Sequence, residues 1–198
     1  MAYQTIEINC PGCGSRVTLG QKECEWCHGP VIISTFNSVR SMPMPQVSSL
    51  ANGYRAGVME DPENKGLNGA VAMCYLKLGI YEKALAAFEK AIEDNFDNSE
   101  MYFYAAICLL QGKKAFLHQR PVIDKILEYM SAATMIEPKG IYYYFMAYVK
   151  YDYFSRKYLT TSPNYTQMLN TAKQYGYSDF DVEQLFSILK VEKPGALA

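Results

Sequence analysis

Four of the six cysteines have the spacing of a metal site. Cys10 and Cys13 form one Cys-x-x-Cys pair, Cys24 and Cys27 form a second, and ten residues separate the pairs. A Zn2+ ion takes four thiolates at tetrahedral corners, and a Cys-x-x-Cys turn brings two sulfurs to one ion while backbone amides point at them. The spacing therefore predicts a structural site that binds one Zn2+ per chain. Iron stays open as an alternative, because similar knuckles also hold iron.

Each pair is followed closely by a glycine, Gly14 after the first and Gly29 after the second. We expect both glycines to adopt the backbone conformation that closes each turn. His28, beside the second pair, is expected to be a surface residue, since four cysteines already complete the coordination. The Cys-x-x-Cys-His run also matches a haem attachment pattern, but that interpretation leaves the first cysteine pair unexplained.

Apolar residues alternate with polar ones around both pairs, as in short strands. They are Ile6, Ile8, Val17, Leu19, Val31 and Ile33. With both knuckles intact, residues 1–33 resemble a zinc ribbon. A segment of this length buries too little apolar surface to be stable alone, so metal binding is expected to supply stability.

The surface of this ribbon gives two hints about its partners. Trp26, the only tryptophan of the chain, lies inside the second pair. It is either an anchor for a protein partner or a shield that covers the metal and fills a small core. Arg16 and Lys22 face three glutamates in this segment, so binding to nucleic-acid phosphates is not favoured.

From residue 66 onward the apolar residues recur at a helical period. In segment 66–93, Gly79 is followed by Ala84, Phe88 and Ala91. This segment resembles a tetratricopeptide repeat, except that Asn68 stands where that family has a bulky residue. The resemblance implies two antiparallel helices, with Gly79 ending the first and the alanines allowing close approach around Phe88.

Weaker echoes of this pattern follow at intervals of about 34 residues. They predict a lone second helix at 47–64, a second pair at 99–140 with an insertion at 113–120, a third pair at 141–178 with extra residues near 160–163, and a capping helix at 179–190. The predicted fold class is mainly α: a small β zinc ribbon at 1–33, a linker at 34–46, and an α-α superhelical array at 47–198. The tyrosines at 144, 148 and 151 have helical spacing and are expected in the core.

In tetratricopeptide proteins the first helix of each pair lines a concave groove. The resemblance implies that ten residues line the groove here: Met73, Leu76, Lys77, Phe103, Ile107, Leu110, Tyr142, Phe145, Val149 and Tyr153. Such an apolar groove suits a protein or peptide partner that presents an apolar or helical segment. Alternatively, the chain fills the groove itself, with its linker Ser34–Gln46 or with its C-terminal helix.

Composition limits the remaining functions. The 198 residues carry 19 Lys and Arg against 20 Asp and Glu, so the basic surface of a general nucleic-acid or membrane-surface binder is not expected. Met1–Asn9 lacks the pattern of an export signal and no apolar run reaches about 20 residues, which favours the cytoplasm. Acids are concentrated in 60–100 and bases in 113–198, an asymmetry that allows self-association.

No pattern typical of catalysis is found. Cys74 and Cys108 occupy equivalent repeat positions and are expected to be buried, structural thiols. The sequence therefore favours a non-enzymatic adaptor that uses its ribbon and groove to assemble a protein complex. The alternative is a regulatory, nucleic-acid-associated zinc-ribbon factor.

Overall fold

The computed structural model describes residues 6–62 and 64–197, apart from the side chain of Lys65. Residues 1–5 of the predicted ribbon, Glu63 of the predicted lone helix and Ala198 of the predicted array lie outside the described residues. The chain divides into two compact units, Met1–Phe96 and Asp97–Ala198. The predicted ribbon thus shares a unit with the first helices of the predicted array.

A short antiparallel hairpin opens the first unit, formed by β1 (Glu7–Asn9) and β2 (Arg16–Thr18). Ile8 pairs with Val17 in its register, and both side chains are buried. The alternation around the first cysteine pair is therefore confirmed as a hairpin. Val31 and Ile33 are also buried, but within residues 6–62 their segment makes an isolated bridge, Glu23 to Pro30, and no strand.

Four helices complete this unit: α1 (Asn37–Arg40), α2 (Met44–Glu60), α3 (Lys65–Leu78) and α4 (Tyr81–Asp94). α1 and the start of α2 fall within the predicted linker. Pro45 lies in the first turn of α2, where a missing N–H costs nothing because that group has no partner inside the helix. Residues 44–46 of the predicted linker therefore begin a helix.

α3 and α4 form the hairpin that the repeat pattern predicted. Asn64 caps α3 by accepting from the backbone N–H groups of Gly66 at 3.1 Å and Leu67 at 3.2 Å. Gly79, at φ 74°, ends it in the left-handed conformation that glycine adopts without strain. At the position where the repeat departs from its pattern, Asn68 is buried and donates to Asp94 Oδ2 at 3.0 Å.

The second unit begins with α5 (Ser99–Leu109) and α6 (Arg120–Ile136). α5 starts 34 residues after α3, as the repeat period requires. The predicted insertion, 113–120, lies in the connection between α5 and α6 except for Arg120, which begins α6. A 3-10 turn at Ala115–Leu117 lies within it.

The second unit continues with α7 (Gly140–Val149), α8 (Tyr165–Tyr175) and α9 (Asp179–Leu189). The end of α7 is drawn out into a π-helical turn at Lys150–Phe154 and a 3-10 turn at Ser155–Lys157. α9 matches the predicted capping helix and begins with a capping box between Ser178 and Asp181.

Aromatic side chains form much of the interior of this unit. Tyr144 and Tyr148 are buried, as predicted, and each lies edge-to-face with Phe186 of α9. Tyr151 is half-buried and contacts Tyr165 edge-to-face. The Tyr144 hydroxyl donates to the Leu197 carbonyl at 2.7 Å, which fixes the C-terminal segment on α7.

Candidate metal centre

Two backbone turns of the same form present the four thiols. The Gly14 N–H donates to the Cys10 carbonyl at 3.0 Å, and the His28 N–H donates to the Cys24 carbonyl at 2.9 Å. Gly14 has φ 78°, and in the second turn His28 takes the equivalent left-handed position with φ 55°. The expectation that Gly29 closes the second turn is wrong, because the fourth residue after Cys24 is His28. Gly29 instead accepts from the Cys24 N–H at 2.9 Å.

The four sulfurs lie close enough together to hold a metal ion. Sγ atoms of Cys10, Cys13, Cys24 and Cys27 all lie within 4.8 Å of one another. Cys10 Sγ is 3.6 Å from Cys27 Sγ, and Cys13 Sγ is 3.7 Å from Cys24 Sγ, so the close contacts run between the two turns. A tetrahedron with metal–sulfur bonds of about 2.3 Å has edges of ~3.8 Å. The donor set and its spacing therefore fit one tetrahedral ion, as predicted.

Ser15 supports this cluster and was not singled out in the sequence. Its hydroxyl lies 3.0 Å from Cys13 Sγ and 3.4 Å from Cys24 Sγ, and so touches a thiol of each turn. Hydrogen bonding to Ser15 lowers the pKa of Cys13, and it lowers the pKa of Cys24 to about 6. These two thiols therefore lose their protons more readily than an ordinary cysteine, which prepares them as metal ligands. In the sequence, this contact is indicated by a hydroxyl residue, Ser15, directly after the turn that ends at Gly14.

The ribbon is positioned by a close contact with α2. A Cβ added at Gly53 would overlap the Ile8 side chain, and one added at Gly57 would overlap Leu19 and lie 2.9 Å from Leu67 Cδ1. Between these glycines, the buried Tyr54 hydroxyl donates to the Val31 carbonyl at 2.7 Å. Glycines four residues apart in a helix are the signal for such an approach, and the sequence analysis missed it.

The exposed side chains of the ribbon decide between the earlier interpretations. Trp26 is 77% exposed, so it neither fills a core nor shields the sulfurs. His28 is exposed as well, and the metal-ligating cluster found among the described residues consists of the four cysteines. This matches the expected role of His28 as a surface residue.

The predicted groove residues lie mostly in the interior of their own units. Met73 and Leu76 are buried in the first unit, while half-buried Lys77 donates to the Arg40 carbonyl of α1. All seven in the second unit are buried: Phe103, Ile107, Leu110, Tyr142, Phe145, Val149 and Tyr153. The contact with α1 agrees with the alternative in which the predicted linker covers part of this surface. Partner binding by these residues stays a prediction, and it would require their buried side chains to become accessible.

The two remaining cysteines are buried, as expected. Burial raises the pKa of the Cys74 thiol to about 12 and raises that of Cys108 as well. Both side chains therefore stay protonated and act as small apolar residues.

A scan against protein-family models and a search of the curated proteins both found no match for the chain. No helix in the described part of the chain combines the length and the apolar character needed to cross a bilayer.

Proposed function

We propose that the chain is a non-enzymatic interaction protein, in which a zinc-bound ribbon is mounted on a tetratricopeptide-like array and helps to assemble a protein complex. The single observation that carries this proposal is the exposure of Trp26, 77% of which faces solvent on a turn braced by two metal ligands. Tryptophan is enriched among residues that dominate binding energy at interfaces. A large apolar side chain on a rigid turn loses little conformational freedom when a partner covers it.

Zinc is the metal that we propose for the cysteine cluster. Four thiolates in a closed tetrahedral set are typical of structural zinc sites, which leave no open position for a substrate. Bound zinc would hold the two turns together and make the ribbon a fixed platform. Elemental analysis of the purified chain should find one zinc per chain; iron at the same stoichiometry would contradict this assignment.

The hairpin α3–α4 supports the array in this proposal. Gly79 ends its first helix, and Ala84, Phe88 and Ala91 are buried as in a tetratricopeptide repeat. We further propose that the chain works in a reducing compartment such as the cytoplasm, because thiolate metal sites and free buried cysteines persist there.

Affinity purification from the organism that encodes the chain tests the adaptor role. The tagged chain is compared with Trp26→Ser and with Phe96→Ser, a matched control whose side chain is 69% exposed in the same unit. We expect partner proteins to be lost only with Trp26→Ser, while zinc content and melting temperature stay unchanged. Capture of the same proteins by all three chains would place the interface elsewhere. Capture of nothing beyond the tag control would contradict the adaptor role.

A further inference from the structure

A polar cleft in the second unit is not used by the proposed function. It encloses about 310 Å³ and is lined from three parts of the unit. Lys114 lies in the insertion, just before the 3-10 turn. A second wall comes from α7 and its extended end, and residues 192–195 of the C-terminal segment form the third. The second wall consists of Tyr148, Tyr151, Asp152 and Arg156. Since the Leu197 carbonyl is hydrogen-bonded to Tyr144, the third wall is held in place.

Arg156 is a cation of this cleft that is held in place before any ligand arrives. Asp152, which is 2% exposed, accepts from Arg156 Nη1 through Oδ1 and from the Phe116 N–H at 2.8 Å through Oδ2. The Arg156 guanidinium also lies 4.7 Å from the centre of the Phe116 ring. A guanidinium fixed by a carboxylate and a ring keeps further N–H donors in a planar fork, which matches the oxygens of an oxyanion.

The π-helical turn supplies two further residues of the lining. It spans Lys150–Phe154, and both Tyr151 and Asp152 line the cleft. A π turn carries an extra residue, which shifts the following side chains around the helix axis and weakens regular hydrogen bonding, so such turns are frequent at functional sites.

The remaining polar groups favour an anion. Lys114 and Lys193 are exposed cations on the two other walls, and Tyr148 also lines the cleft. Burial raises the pKa of the Tyr148 hydroxyl, which therefore remains a hydrogen-bond donor. The lining also contains two carboxylates beside its three cations. Glu192 is exposed, and Asp152 already forms a salt bridge with Arg156.

We propose that this cleft binds a phosphate monoester, with Arg156 as the fixed donor and Lys114 and Lys193 closing on the phosphate from either side. A phosphate offers three acceptor oxygens and nearly two negative charges, which suits one planar guanidinium and two mobile ammonium groups. The phosphate belongs either to a free small molecule or to a phosphorylated side chain. This site is independent of the adaptor role at Trp26.

Calorimetric titration of the full zinc-loaded chain at low ionic strength tests the site. The probes are inorganic phosphate, O-phosphoserine, a peptide that contains O-phosphoserine and, as a carboxylate comparison, succinate. We expect one saturable site for the phosphate probes and weaker binding of succinate. Tighter binding of the O-phosphoserine-containing peptide than of O-phosphoserine itself would assign the site to phosphorylated side chains, and equal binding would assign it to free phosphates. Equal or tighter binding of succinate would overturn the phosphate assignment.

Two double variants separate this site from general charge attraction. Lys114→Ala with Lys193→Ala should weaken phosphate binding at least about tenfold, the loss expected from two charge-assisted hydrogen bonds. Lys113→Ala with Lys173→Ala removes the same charge from exposed lysines outside the lining and should leave binding nearly unchanged. All four lysines are exposed, so both variants should melt like the parent chain. No saturable binding, or equal losses in the two variants, would overturn the proposal.

Discussion

The hydroxyl of Tyr54 donates a hydrogen bond of 2.7 Å to the carbonyl oxygen of Val31, and thereby joins α2 to the segment after the second cysteine turn. Among the described residues, this segment makes an isolated bridge, Glu23 to Pro30, instead of a strand. A side chain 23 residues further along the chain therefore satisfies a backbone group that a third strand would otherwise have bound.

Tyr54→Phe should destabilise the chain, because it leaves the Val31 carbonyl buried without its partner. The expected loss is about 1–2 kcal/mol in the free energy of unfolding. Chemical denaturation of the zinc-loaded chain measures it, with Tyr158→Phe as the control, since Tyr158 is 97% exposed. Equal stability of the two variants would mean that the hydrogen bond contributes nothing net.

Gly53→Ala and Gly57→Ala should each destabilise the chain, although alanine favours helices by about 1 kcal/mol over glycine. The new methyl groups would overlap Ile8 and Leu19, and overpacking of this kind costs about 1–3 kcal/mol. Gly66→Ala is a matched control, because its Cβ would make only ordinary contacts, 3.5 Å to Asn64 and 3.6 Å to Ile32. Thermal melting of the three variants measures whether each substitution raises or lowers the melting temperature. A higher melting temperature for Gly53→Ala and Gly57→Ala would rule out the close contact.

Removal of the metal should unfold the ribbon and leave the helices largely intact. The helices bury apolar side chains of their own, whereas the hairpin has only three residues in each strand. A strong chelator, or Cys10→Ser with Cys13→Ser, should reduce zinc to zero per chain. The helical circular-dichroism signal should change little, while the amide resonances of the ribbon should lose their chemical-shift dispersion. A collapse of the helical signal would show that the whole unit depends on the metal.

The six thiols should differ in reactivity. In the metal-free chain under native conditions, a thiol reagent should modify the four cysteines of the two turns rapidly, because the unfolded ribbon exposes all of their sulfurs. Cys74 and Cys108 should react only after denaturation, because burial raises the pKa of both. Mass spectrometry of the modified chain counts the sites. Rapid modification of Cys74 in the native chain would contradict its burial.

The Asn68–Asp94 contact should couple the two helices of the α3–α4 hairpin. Asn68→Ala removes the 3.0 Å hydrogen bond and should cost about 1–2 kcal/mol. A double-mutant cycle with Asp94→Ala, measured by denaturation, isolates the pair from the loss of packing. Additive effects of the two substitutions would mean that the two side chains act independently.

The sequence by itself determined the features that depend on short-range spacing. The cysteine pairs define the ligand set because two residues between cysteines bring both sulfurs to one point, and the period of α3–α4 and the Ser178 cap define their helices locally. Gly79 could be assigned as a helix end because glycine alone enters the left-handed conformation without cost.

Only the tertiary structure decided which surfaces remain exposed. The groove residues follow from the repeat pattern, but their burial depends on partners from distant positions in the chain, as when Lys77 contacts α1 and Phe103 packs against Tyr142 and Phe145. The tertiary structure also decides that Trp26 is exposed and that the ribbon packs against Gly53 and Gly57. It likewise brings Lys114, Arg156 and Lys193 to one cleft. These contacts join residues far apart in sequence, and no local periodicity encodes which of them meet.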